Sequence, residues 1–149
     1  MTKKIYYKDK NISIYIDTNV LRNYCAGQKA EIECLKFLFE KRKRNKLFTS
    51  TLAIGQIISV IQKKKGIQES LKDMYLFNDK MTAIDFSEKD MLQGYLETGY
   101  DIEDRMHYVL SKKKNCKIII TNDNRGFLTF TDIIVVRPNK LGTLRNLID

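Results

Sequence analysis

ISIYIDTN, residues 12–19, sets the reading of the whole chain. Ile12 to Ile16 is apolar enough for a buried strand, yet the run ends on a carboxylate, Asp17, with a turn-forming Thr18-Asn19 behind it. A strand that simply reaches the surface ends more often in Gly, Asn or Ser. A carboxylate where a buried parallel strand emerges is well placed for chemistry, because ligands in open α/β sheets sit beyond the carboxyl ends of the strands. The question becomes whether other strands end the same way.

Short β-branched runs at residues 12–17, 47–50, 81–85, 117–121 and 133–136 read as strands. Between them, residues 30–44, 52–64, 68–77, 88–97, 102–113 and 140–147 carry helical spacing, as in Ile32, Leu35, Leu38 and Phe39. Such alternation predicts an α/β fold, a three-layer α/β/α sandwich around a central parallel sheet of four to five strands. At 149 residues, with no internal repeat or long linker, the chain is expected to be one domain, 1–149. Residues 1–10 read as an extra edge strand or a loose arm.

A second strand, KIIIT (117–121), runs straight into Asn122-Asp123, and the helix before it opens on DIED, with Asp101 and Asp104 in or beside its first turn. Taken singly, Asp101 or Asp104 caps a helix and Asp123 sits in an ordinary turn. Jointly, acids from three distant parts of the chain fall at element ends that a doubly wound sheet gathers at one edge. Such a cluster suits Mg²⁺ or Mn²⁺, hard cations that prefer carboxylate oxygens and retain waters.

The composition is 43% hydrophobic and 30% charged, which excludes a disordered chain, and no apolar run approaches the roughly 20 residues of a membrane span. MTKKIYYKDK (1–10) lacks the apolar core of a signal peptide, and three cysteines without CxxC spacing argue against zinc or a disulfide framework. The expectation is a cytoplasmic protein with no membrane partner. Lys and Arg number 27 against 18 acids, a net charge of +9 that favours a polyanionic partner.

Together, IDTNVL (16–21), STLAIGQ (50–56), DIEDRMHYVLSKKKNCKIIITND (101–123) and the trailing NRGF (124–127) resemble the PIN domain, the metal-dependent nuclease fold of VapC-like toxin ribonucleases. The resemblance implies a Mg²⁺- or Mn²⁺-dependent endoribonuclease that cuts RNA and is neutralised by an antitoxin. Carried over by position, Asp17, Asp104 and Asp123 match catalytic, metal-holding acids, and Asp101 an accessory metal acid. Asn19 and Ser50 match polar residues that steady the first carboxylate, and Thr121 the hydroxyl at the end of the fourth strand. PIN toxins often pair as homodimers. The apolar faces of residues 30–39 and 52–61 are candidates for that contact, although intramolecular core is their simpler use.

One position departs from the pattern. Gln56 stands where a second acid is expected, keeping an acceptor oxygen and losing the charge. Metal binding should weaken, leaving either a slower nuclease or a module that binds nucleic acid or protein without cutting. Asp101 is the candidate to restore the charge. Basic runs at 40–46, 63–65 and 112–114 fall near helix C-termini, away from the acids, so Arg22 and Arg125 are the expected phosphate contacts. His107, the single histidine, reads as helix packing or a polar contact. A response-regulator receiver is a third reading, prompted by Asp85 at a strand end and the VVRPNK (135–140) that follows the last strand.

Overall fold

The computed structural model describes residues 11–97 and 101–148; the arm or edge strand read at 1–10 lies outside them. Five strands form one parallel sheet: β1 (Ile14–Ile16), β2 (Leu47–Ser50), β3 (Thr82–Ile84), β4 (Ile118–Ile120) and β5 (Ile134–Val136). Their spatial order is β3-β2-β1-β4-β5. This differs from the 2-1-3-4-5 order of receiver-like folds, so the receiver reading is excluded.

β1 is central, and every residue in it is buried, as a strand covered on both faces requires. Ile14 and Ile16 point into a core shared with Val20, Leu35, Leu38, Ile57, Ile120 and Leu144. Tyr15 points the other way, toward Leu110, Ile119, Phe127 and Phe130. The period-2 alternation of side chains along one strand thus separates the two outer layers. The first layer holds α1 (Thr18–Cys25), α2 (Lys29–Lys41), α3 (Thr51–Lys80) and α6 (Leu141–Ile148); α5 (Ile102–Lys113) covers the second, with α4 (Glu88–Leu96) packed against it.

The sequence reading gave no helix between Asp17 and Gly27. Thr18-Asn19, expected as a turn, instead opens α1, because Asp17 stays extended and its carboxylate accepts the Thr18 N–H as an N-cap. Val20, Leu21 and Cys25 then face the core. Helix α2 stops at Lys41, short of the expected Arg44, and Arg44–Lys46 forms a 3-10 turn into β2. The faces considered for pairing are used inside the molecule: Cys34, Leu35 and Leu38 from α2, and Ala53, Ile57 and Ile61 from α3, lie in the core. Among the described residues no helix is long and apolar enough to cross a membrane.

The two helices read at 52–64 and 68–77 are one 30-residue stretch broken at Gly66, whose φ of 81° and ψ of 170° lie in a region essentially reserved for glycine. A Cβ there meets nothing within 4 Å, so a larger residue is opposed by backbone conformation alone. Gly66→Ala is expected to destabilise the protein by about 1–3 kcal/mol, the range for such strain. Urea unfolding measures it, and an unchanged midpoint would show that the kink relaxes without cost.

Candidate active site

Chain order leaves β1 for β2 and β3 on one side, then crosses to β4 and β5 on the other. The crevice of a doubly wound sheet opens at such a switch, here at the carboxyl ends of β1 and β4. The Asp17 N–H donates to the Ile120 carbonyl at 3.0 Å and ties the two ends together. Beyond them is a cleft of about 410 Å³ lined by Asp17, Gln56, Asp101, Glu103, Asp104, His107 and Asp123, with Thr18, Asn19 and Arg22.

Asp17 is 3% exposed. Its Oδ1 accepts from the Thr18 N–H at 2.7 Å, and its Oδ2 accepts from the Thr121 hydroxyl at 2.7 Å and the Asn19 amide at 3.1 Å. Asn19 Oδ1 in turn accepts the Asn122 N–H at 3.1 Å. Asn19 and Thr121 thus both donate to the same oxygen of this carboxylate. The hydrogen bonds of Ser50 go elsewhere: its hydroxyl accepts the Ala53 N–H at the start of α3 and pairs with the Tyr15 hydroxyl at 2.8 Å.

Asp104 and Asp123 meet over Gly126. The Asp123 Oδ1 accepts the Gly126 N–H at 3.0 Å. A Cβ at position 126 would overlap a carboxylate oxygen of Asp104 and lie 2.8 Å from one of Asp123. Glycine is needed here for space alone. Asp104 is 7% exposed, and its Oδ2 is buried without a hydrogen-bond partner. Burial first, then the Asp123 carboxylate, and then Asp17 and Asp101 push its pKa up to about 8. Asp101 is the N-cap of α5, accepting the Glu103 N–H at 2.7 Å.

His107 enters the site, although its sequence position gave only a packing or polar role. Its Nδ1 lies 2.6 Å from the Tyr15 hydroxyl, and its Nε2 lies 3.2 Å from Thr18 Oγ1 and 3.4 Å from Asp17 Oδ1. Burial lowers its pKa against the opposing pull of Asp17 and Glu103. Thr18 Oγ1 donates to Gln56 Oε1 at 2.6 Å, and Gln56 Nε2 donates to Glu103 Oε1 at 2.9 Å. Sequence reasoning passed over Thr18, Glu103 and Gly126. DIED and NRGF contained the last two, but only the packing of α5 on the turn after β4 gives them meaning.

Arg22 lines the cleft, whereas Arg125 is exposed on the turn after Asp123 and is not among the lining residues. A second cavity of about 310 Å³ is also lined by Arg22, together with Lys64 and Lys65, where α3 packs along α1. Lys112 and Lys113 are engaged in ion pairs with Asp132 and Asp90, at 2.6 and 2.8 Å.

The PIN domain family model matches residues 14–132. The chain belongs to the PIN domain family. No curated protein matches it by sequence at a significant level. Among solved structures it is similar to VapC20 of Mycobacterium tuberculosis, a sarcin–ricin-loop-cleaving toxin, at 13% identity and TM-score 0.62, covering 81% of this chain and 98% of that one. It is also similar to VapBC2 of Rickettsia felis, solved bound to promoter DNA, at 15% identity and TM-score 0.63, covering 85% and 98%. A toxin–antitoxin complex from Klebsiella pneumoniae aligns at 17% and 0.62, again over 85% and 98%. At these identities the likeness speaks for a shared PIN fold.

PIN nucleases use divalent metal ions, and the residues here fit one. A buried, unpartnered oxygen of Asp104 and an oxygen of Asp123 both border the space that a side chain at position 126 would take. A cation held by these carboxylates would offset the burial and the Asp123 charge that together raise Asp104. Among the described residues no three His, Cys, Asp or Glu side chains form a finished cage. Mg²⁺ needs none, since it is commonly held by one or two carboxylates and keeps several waters.

Without metal, Asp104 keeps its proton in the folded protein from its ordinary 3.8 up to about 8, where the unfolded chain has lost it. Its contribution to stability is complete below the lower value and declines as pH rises through the interval. Asp104→Asn in EDTA is expected to raise the melting midpoint at pH 8 by ~2–4 °C, the shift that about 1 kcal/mol produces in a domain of this size, with little change at pH 4. A lower midpoint at both pH values would show the carboxylate to be a structural partner instead.

Proposed function

We propose that this PIN domain is a metal-dependent endoribonuclease, the toxin of a toxin–antitoxin pair acting in the cytoplasm. The observation that carries the reading is the Asp104–Asp123 pair, held with an unpartnered buried oxygen beside Asp17 at the switch crevice. Support comes from the similar structures, one a toxin that cuts the sarcin–ricin loop and another a toxin–antitoxin complex. The +9 charge suits a polyanionic substrate.

Asp104 and Asp123 would hold Mg²⁺ or Mn²⁺, with Asp17 completing the set and Asp101 adding field from the helix start. When bound, the ion supplies an activated water and stabilises charge on the phosphodiester. The chain's own residues do the rest. Thr121 and Asn19 fix the Asp17 carboxylate through both of their donors, so it need not reorganise during the reaction. Arg22, at the rim, is placed to contact a substrate phosphate. Gln56 offers an amide where the family pattern has an acid, and an amide does not take a proton from water. That absence favours a second reading, a PIN module that binds RNA or a protein without cutting.

The deciding assay incubates the protein with a mixed tRNA and mRNA pool in Mg²⁺, in Mn²⁺ and in EDTA. Cleavage with metal, none in EDTA, and a loss of about 100-fold or more in Asp104→Asn are expected, the scale on which removing one preorganised electrostatic group acts. RNA retained intact by the native protein with both ions would favour the binding module. Cleavage indifferent to Asp104→Asn would place the chemistry elsewhere.

A further inference from the structure

We propose that Glu103 is the fourth carboxylate of this site, and that Gln56 holds it there, so the charge missing from α3 is supplied by α5. The inference rests on the metal-dependent reading above and assigns a residue which that reading leaves out.

Gln56 is not an idle replacement. Its two polar atoms are both used, each in the only sense that works. Were the amide reversed, its oxygen would face the Glu103 carboxylate at 2.9 Å, two acceptors in contact. As it stands, Oε1 takes the Thr18 hydroxyl hydrogen at 2.6 Å and the NH₂ donates a charge-assisted hydrogen bond to Glu103 Oε1. A glutamate at position 56 would set two carboxylates across that same distance, where one would have to hold a proton. The amide at 56 and the acid at 103 are therefore complementary. Exchanging which residue carries the charge keeps the number of carboxylates in the cleft and moves one of them across it.

The orientation of Gln56 is set from deep in the molecule. Thr18 has a single hydroxyl hydrogen, already given to Gln56, so toward His107 Nε2 it can only accept. His107 then carries its proton on Nε2, directed at Thr18 Oγ1 and at Asp17 Oδ1. Its Nδ1 accepts from the Tyr15 hydroxyl, which accepts from Ser50. One direction of donation runs from Ser50 through Tyr15, His107, Thr18 and Gln56 to Glu103. Glu103 is an exposed side chain near the start of α5; the end of this line of donors is what holds it at the cleft. The site it borders contains the buried, unpartnered Asp104 oxygen, which marks where positive charge is wanted. Asp101, the other acid at the start of α5, uses its Oδ1 to cap the helix.

Binding of Mn²⁺ alone, followed by the electron paramagnetic resonance of the free ion, tests this on the full chain. Glu103→Gln keeps an acceptor for Gln56 and removes only the charge, so a purely structural tether predicts native affinity. The proposal predicts Mn²⁺ binding about tenfold weaker or more, the scale of losing a group that tunes a metal site, with an unchanged melting midpoint. The exchanged pair Gln56→Glu/Glu103→Gln restores the charge from the other side and is expected to recover affinity to within about threefold of native, the context spread of a single interaction. Native Mn²⁺ affinity in Glu103→Gln, or no recovery in the exchanged pair, overturns the proposal. Asp104→Asn separates the two levels: if it loses Mn²⁺ while Glu103→Gln does not, Glu103 alone is misassigned. If native protein and Asp104→Asn bind alike or not at all, the metal-dependent reading falls as well.

Discussion

Asp104 and Asp123 come together over a glycine, because a Cβ at position 126 would overlap the Asp104 carboxylate and crowd that of Asp123. Burial of the Asp104 carboxyl, and after it the neighbouring Asp123 carboxylate, disfavours its charged form, and its raised pKa records that cost. Much of the surrounding architecture can be understood as holding this conflict in place. Helix α5 opens at Asp101 and presents Asp104 from its first turn, where the partial positive charge of a helix N-terminus offsets some of the repulsion. The turn after β4 is fixed by the Gly126 N–H on Asp123 and by the Asp123 N–H on Thr121. Stability given up at a site of this kind is a common companion of chemistry.

A second arrangement surrounds the first. Asp17 is held by neutral donors: a hydroxyl, an amide and a backbone N–H reach it from α1 and the end of β4. Behind it, Asn122 is gripped by Asn19 and by Glu31, a buried acid on α2 that also takes a hydrogen bond from Asn23. Tyr15, on the opposite face of β1 from the α1–α3 layer, carries polar contact from Ser50 on β2 to His107 on α5. The site is thus braced from both sides of the sheet, with Asp104 on helix α5 and with Asp17 and Asp123 in the short segments just past the ends of β1 and β4.

The strands, the parallel sheet and the three aspartates were legible in the sequence because each rests on a local rule: an unbroken apolar run, an acid just past its end, an acid in a helix's first turn. Helix α1 was not, since eight residues opening on Thr-Asn look like a turn until Asp17 is seen to cap them. Ser50 was carried over as a partner of Asp17, but its hydroxyl is drawn to Tyr15 and the α3 cap. Gln56 was recognised as a departure from the PIN pattern, while its partner, Glu103, is 47 residues away in the chain and no local signal joins them. Gly126 likewise acquires meaning only when α5 is packed against the turn after β4. What stayed hidden was pairing across the chain, not the types of residue involved.

The central claim is that the Asp104–Asp123 gap is a place for a divalent cation. Anomalous diffraction from crystals of the full chain grown in Mn²⁺ tests it most directly. A single strong peak within direct coordination distance of both carboxylates, roughly 2.0–2.3 Å for a small hard cation, is the predicted result. A peak bound elsewhere, or none at saturating Mn²⁺, would contradict it.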